Sequence, residues 1–147
     1  MPANPPENMP RITPNLFYDD LAAATEWLTK AFGFEVRMAM PGPDGGLMHA
    51  ELELADGVVM MSPTDSGEAF TSPKSQGGSV TQSTYIYVDD VDAHCAQARS
   101  AGATIEADLE DMFWGDRTYV ASDPEGHRWT FAQRTREIAP DDMKPPS

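Results

Sequence analysis

One pattern runs through this chain twice, and the repeat limits what the chain can fold into more than any single residue does. Thr13-Pro14-Asn15-Leu16-Phe17-Tyr18-Asp19-Asp20-Leu21 leads into a helical stretch that ends at Ala31-Phe32-Gly33-Phe34. About seventy residues later, Ser83-Thr84-Tyr85-Ile86-Tyr87-Val88-Asp89-Asp90-Val91 leads into a second one that ends at Ala101-Gly102-Ala103. Two copies of a strand-helix-strand unit within 147 residues predict two similar modules, with a functional site expected between them.

The spacing of apolar residues fills in each copy. Alternation over 11–18 predicts a strand with Thr13, Asn15 and Phe17 on one side and Ile12, Leu16 and Tyr18 on the other. Asp19 or Asp20 caps the following helix, where Leu21, Ala24, Leu28, Ala31 and Phe32 form one apolar stripe and Gly33 is the stop. Residues 34–40 read as a second strand, and 47–54 and 58–62 as a hairpin turning through Asp56-Gly57. The second copy follows the same order. Its strand covers 84–88, with Asp89 or Asp90 as cap and Val91, Cys95, Ala98 and Ala101 on the helix. Strands at 105–110, 118–122 and 127–133 follow, the last two joined through Asp123-Pro124-Glu125-Gly126. The result is an α+β chain with βαβββ repeated: one domain over 11–133, with modules 11–62 and 83–133. The polar segment 63–82 reads as a mobile linker. Residues 1–10 read as a disordered leader and 134–147 as a loose tail.

Composition narrows the function classes. Hydrophobic residues make up 40% of the chain, enough for a core. No apolar run reaches the roughly 18–20 residues that span a bilayer, so no membrane role is expected. The lone Cys95 allows no intramolecular disulfide, fits a reducing cytoplasm, and reads as a packing thiol. A net charge of −14 argues against nucleic acid and anionic membranes as partners. The same charge either serves solubility or attracts cationic ligands.

The repeated βαβββ order resembles the vicinal oxygen chelate superfamily, which includes glyoxalase I, extradiol dioxygenases, fosfomycin-resistance enzymes and bleomycin-resistance binding proteins. The matching stretches run from Leu16-Phe17-Tyr18-Asp19-Asp20-Leu21 through Phe32-Gly33-Phe34, and from Tyr87-Val88-Asp89-Asp90-Val91 through Ala101-Gly102-Ala103. Asp123-Pro124-Glu125-Gly126-His127 is the most specific match. The resemblance implies two curved mixed sheets with a helix on the outer face of each. It also implies a homodimer and a cleft between modules that holds a small molecule. More narrowly, His49-Ala50-Glu51, Met60-Met61-Ser62 and Phe113-Trp114-Gly115-Asp116-Arg117 are similar to an uncharacterised glyoxalase-like subgroup. Some members of it carry names suggesting a methyltransferase. That name does not fit, because no glycine-rich nucleotide fingerprint follows a strand here.

Enzymes of the family hold a divalent metal through about four ligands, usually His or Glu. Carried over one by one, those positions fall on Thr13, on Met60 or Met61, on Ser83 and on Thr130. Hydroxyls are poor ligands and thioethers are soft, so no metal or other cofactor is expected; a divalent metal is the alternative. His49 and Glu51 share a strand face with Glu53 and are the candidate catalytic pair, as acid and base or at a displaced metal site. The competing reading is a solvated outer face on an edge strand. His127 and His94 read as surface residues.

Without a metal, the family's cupped sheets can still hold an organic molecule against flat rings. The candidate ligand-binding residues are Asn15, Phe17, Tyr85, Tyr87, Trp114, Arg117 and Tyr119, with Trp129 also on a predicted strand. Ordinary packing against the helices is the competing role for these rings. Arg117 either grips an anionic group or pairs with Asp116 or Asp111. The leading expectation is a metal-free binding protein for a cationic or aromatic molecule, as in antibiotic sequestration. The alternative is a lyase, isomerase or dioxygenase using His49 and Glu51. A third is an interaction domain with a vestigial cleft.

Overall fold

The computed structural model describes residues 1–64 and 69–147. The first half contains β1 (Asn15–Tyr18), α1 (Leu21–Phe32), β2 (Glu35–Pro41), β3 (Leu47–Leu54) and β4 (Gly57–Pro63). The second contains β5 (Ser83–Tyr87), α2 (Val91–Ser100), β6 (Thr104–Asp111), β7 (Asp116–Ser122) and β8 (Arg128–Arg134). The chain divides into two compact units, Met1–Gly78 and Ser79–Ser147. Each holds one four-stranded mixed sheet, ordered β1-β4-β3-β2 and β5-β8-β7-β6. This is the α+β arrangement of two βαβββ modules that the repeat predicts.

Each sheet is built the same way. The helix crossover forces its flanking first strand to pair in parallel, β1 with β4 and β5 with β8, while the tight turns make the other pairs antiparallel. Alternation then gives every strand a helix-facing side and an open side. Leu16, Tyr18, Ala50, Leu52, Val59 and Met61 are buried with Leu28 and Phe32 of α1. Tyr119, Ala121, Trp129 and Phe131 are buried with Val91, Cys95 and Ala98 of α2. Burial pushes the Cys95 thiol pKa up, as suits a packing residue.

The register repeats as well. Asn15 lies opposite Met60 as Tyr85 lies opposite Thr130, and Phe17 opposite Ser62 as Tyr87 opposite Ala132. Asp20 and Asp90 are the helix caps, accepting from the backbone N–H of Ala23 and Ala93 at 3.0 Å each. Gly33 ends α1 in the left-handed region at φ +78°.

Two expectations need revision. β1 begins at Asn15, not at 11: Pro14 has no N–H to donate, although its carbonyl still accepts from Met60 N at 2.8 Å. β3 is not an edge strand but lies between β4 and β2. Of the expected linker 63–82, residues 65–68 lie outside the described residues. Around them, the Asp19 carboxylate accepts from the hydroxyls of Thr64 (2.9 Å), Ser72 (2.8 Å) and Ser75 (2.6 Å), which ties this stretch to the start of α1. Near the N-terminus a turn is closed by Met9 N to Pro6 O at 3.0 Å, and the Glu7 carbonyl accepts from Arg37 Nη2 at 3.3 Å. Beyond β8, the backbone N–H groups of Thr135 and Arg136 both donate to the Gly115 carbonyl. Among the described residues no helix is long and apolar enough to cross a membrane.

Candidate functional site

The densest polar cluster with exposed rings lies on the open side of the second sheet. Asp116 opens β7 directly opposite Arg134, which ends β8. The Asp116 side chain is only 1% exposed. Its Oδ2 accepts from Tyr85 Oη (2.6 Å), Tyr87 Oη (2.8 Å) and Trp114 Nε1 (3.2 Å). Its Oδ1 accepts from Arg134 Nη1 at 3.3 Å.

Local sequence explains each placement. Alternation along β5 turns Tyr85 and Tyr87 away from α2 and leaves them 44% and 57% exposed. Trp114 sits in the 112–115 turn, which is closed by Gly115 N to Met112 O (3.1 Å) and Met112 N to Asp116 O (2.7 Å). Gly115 adopts φ +104°, and a Cβ there would lie 2.5 Å from the Arg136 carbonyl oxygen, so only glycine fits. Arg134 Nη1 also donates to the Trp114 carbonyl at 2.6 Å and steadies the turn.

The electrostatics follow from this wiring. Burial works to raise the Asp116 pKa, but hydrogen bonds from Tyr85, Tyr87, Arg134 and Trp114 outweigh it and hold the carboxyl below its ordinary value. Tyr85 is pushed up to about 12, first by burial and then by its bond to Asp116. Tyr87 is raised chiefly by its own bond to Asp116. At neutral pH the cluster is thus an ionised carboxylate held by two neutral phenols. The two rings meet edge-on at 5.6 Å and 63° and leave aromatic surface open to solvent.

The open side of the first sheet carries a second group. Asn15 Oδ1 accepts from Ser62 Oγ at 3.0 Å. Phe17 stacks on Phe70 with centroids 4.2 Å apart and planes 10° off parallel. Glu51 is buried; its Oε1 accepts from Arg37 Nε at 3.1 Å, and its Oε2 lies 3.0 Å from His49 Nε2. Met38, Met40 and Met60 occupy the cross-strand positions beside Glu51 and His49. The pair is therefore a wired Arg-Glu-His chain rather than a solvated edge. A carboxylate in this contact fixes the orientation of the imidazole.

Donor chemistry decides the metal positions. Met60 faces the open side, whereas Met61 is fully buried beneath α1. The carried-over set therefore becomes Thr13, Met60, Ser83 and Thr130, which does not fit a hard divalent cation. Among the described residues no group of three or more His, Cys, Asp or Glu side chains converges to hold a metal ion.

Two candidate residues do not join either group. Arg117 and Tyr119 have the opposite parity to Asp116 on β7 and point to the helix side. Arg117 bonds Asp92 on α2 (2.9 Å) and Asp111 (3.3 Å). Tyr119 has no exposed surface, and its hydroxyl meets His94 Nδ1 at 2.6 Å. His94 is accordingly not a free surface residue, and its ring also lies 4.2 Å from that of Phe131. Trp129 is buried with its Nε1 on Asp123 Oδ2 at 3.1 Å. His127 lies in the same turn, donating its backbone N–H to Asp123 Oδ1. Sequence reasoning missed Asp116 and Arg134. Strand parity places Asp116 two positions from Thr118, whose partner Ala132 lies beside Tyr87, so the signal was present.

Comparison with known proteins gives a consistent family. The family model described as Glyoxalase/Bleomycin resistance protein/Dioxygenase superfamily matches residues 9–131. The uncharacterised proteins Mb0911c of Mycobacterium bovis and Rv0887c of Mycobacterium tuberculosis are each 39% identical over 138 residues. The match spans 92% of this chain and 90% and 81% of those proteins, respectively. Among solved structures, TioX from Micromonospora sp. ML1 is similar with TM-score 0.70 and 33% identity, over 85% of this chain and 98% of that one. TnmS3, an antibiotic binding protein from Streptomyces sp. CB03234, shares the fold with TM-score 0.64 and 21% identity, over 82% and 92%.

Proposed function

This chain belongs to the Glyoxalase/Bleomycin resistance protein/Dioxygenase superfamily, and from that membership we propose that it is a small-molecule-binding protein that holds a planar organic ligand on the open face of its second sheet. The observation that carries this reading is the pair of exposed rings, Tyr85 and Tyr87, fixed by the buried Asp116 carboxylate. Rings pinned at their hydroxyls lose little further freedom on binding, so stacking costs less ordering entropy. The binding is proposed to need no metal, since the family's ligand positions carry Thr13, Met60, Ser83 and Thr130. Sequestration of an antibiotic-like molecule without chemical change suits such a surface. TnmS3, which shares the fold, is itself an antibiotic binding protein. The working species is proposed to be a homodimer.

The test is a panel of planar heteroaromatic compounds titrated against tryptophan fluorescence. A saturable ligand should bind the Tyr85→Ala variant at least about ten-fold more weakly, a loss of about 1.4 kcal/mol, in titrations run well below that variant's own thermal midpoint. Undiminished affinity in that variant would remove the assignment.

A second reading is favoured by one observation, the 3.0 Å contact between His49 and the buried Glu51. On that reading the first sheet performs acid-base chemistry, as a lyase, isomerase or dioxygenase. His49→Ala would then abolish turnover of an identified substrate and leave the fold intact; retained turnover excludes it.

A further inference from the structure

We propose that the open face of the second sheet is a hydrogen-bond-accepting surface, selective for planar ligands that carry positive charge or N–H and O–H donors and unfavourable to planar anions. This inference rests on the small-molecule-binding reading above and adds the chemical class of the ligand.

The direction of each hydrogen bond in the cluster carries it. A phenol has one proton, and those of Tyr85 and Tyr87 both point inward to Asp116 Oδ2, at 2.6 and 2.8 Å. The single N–H of Trp114 is shared between Asp116 Oδ2 and Tyr85 Oη, at 3.2 Å each. Arg134 directs Nη1 to the Trp114 carbonyl and Asp116 Oδ1, and its Nη2 lies 4.0 Å from Glu137 Oε2. The side-chain donors of Tyr85, Tyr87 and Trp114 are thus engaged within the cluster. The carboxylate that engages them is 1% exposed, so a ligand does not reach it directly.

What remains for a ligand is the outer surface of the two tyrosines, 44% and 57% exposed. It offers hydroxyl lone pairs and the electron-rich faces of the rings. A phenol that donates to a carboxylate becomes a better acceptor, because hydrogen bonds in a chain polarise one another. The ring faces attract cations through their quadrupoles. A ligand presenting a carboxylate would have to break a tyrosine-to-Asp116 bond or set its lone pairs against those of the phenols. The nearby cation, Arg134, is tied through Nη1 to Asp116 and to the Trp114 carbonyl. The chain's net charge of −14 adds a field of the same sign.

Two probes with one ring system separate the possibilities: 9-aminoacridine, a planar cation at pH 7.5, and acridine-9-carboxylate, a planar anion. Both are titrated by fluorescence into the full chain in about 0.15 M salt, where long-range fields are screened. The cation is expected to bind about ten-fold more tightly or better. In Asp116→Asn the preference should shrink, because the phenol protons are no longer held inward by a charged acceptor. In Asp108→Asn it should persist: that variant removes the same formal charge from a side chain 74% exposed on β6. Equal or tighter binding of the anion overturns the inference while leaving the binding function standing. So does an equal loss of preference in both variants, which would assign selectivity to overall charge. Failure of both acridines to bind saturably overturns the inference together with the planar-ligand reading.

Discussion

At the scale of single residues, Gly115 and Asp116 set the geometry of the cluster. Gly115→Ala places a Cβ 2.5 Å from the Arg136 carbonyl at a φ of +104°. The backbone has to shift, and the expected loss is about 1–3 kcal/mol in urea denaturation, with altered Trp114 emission; an unchanged midpoint would show that the turn is not tight. Asp116 also predicts a pH dependence. Its pKa is lower folded than the ordinary 3.8, so its stabilisation is complete above that value and is lost as pH falls through the depressed folded value. Wild type should therefore exceed Asp116→Asn in stability near neutral pH, and the gap should close under acid; a gap constant with pH would contradict this. The opposite sign applies to Tyr85, which keeps its proton to about 12 in the fold. Its contribution is lost as pH rises from the ordinary 10 through about 12, and Asp116→Asn should bring its phenolate absorbance to lower pH. Strand alternation puts Tyr85 and Tyr87 on one face of β5, and the structure leaves that face exposed. Arg117 and Tyr119 have chemistry suited to a ligand, but the structure turns both toward α2.

At the scale of elements, the stretches most legible in the sequence were those whose period is strong. α1 and α2 fall where the apolar stripes put them, and β3 matches its expected span. Asp19 was harder to read, since an acid just before a helix signals a cap. Its partners Ser72 and Ser75 are more than fifty residues away, a separation no local pattern encodes. The Asp123-Pro124-Glu125-Gly126 turn is legible from its own residues as well as by resemblance, and its contacts are structural. Asp123 Oδ1 accepts from the backbone N–H of Glu125 and His127, and Oδ2 accepts from the indole of the fully buried Trp129. Asp123→Ala removes the carboxylate that accepts from that buried indole N–H and from the turn's backbone. A loss of about 1–3 kcal/mol is expected in urea denaturation. A variant as stable as wild type would mean the turn holds without its carboxylate.

At the scale of the whole molecule, the repeat predicted two units of like topology, and the structure has them, register included. What the repeat could not reveal is how far the open sides have diverged, because each side is set by a few alternate residues. Net charge adds a prediction at this scale. Among the described residues most ion pairs involve an exposed side chain, as Arg99 with Asp108 does, and contribute little. Mutual repulsion from a net charge of −14 is expected to outweigh them. Raising sodium chloride from about 0.01 M to about 0.3 M, where the Debye length contracts several-fold, should raise the thermal midpoint. A falling midpoint would show that the ion pairs dominate. The two-sidedness of each strand has a further consequence, for how such a molecule changes over generations. On β5, Ser83, Tyr85 and Tyr87 lie on the open side, while Thr84 and Ile86 face the helix. Recognition and folding are thus written in interleaved letters of the same short word. A lineage, or a library randomised at the odd letters alone, can explore new ligands while the even letters keep the architecture.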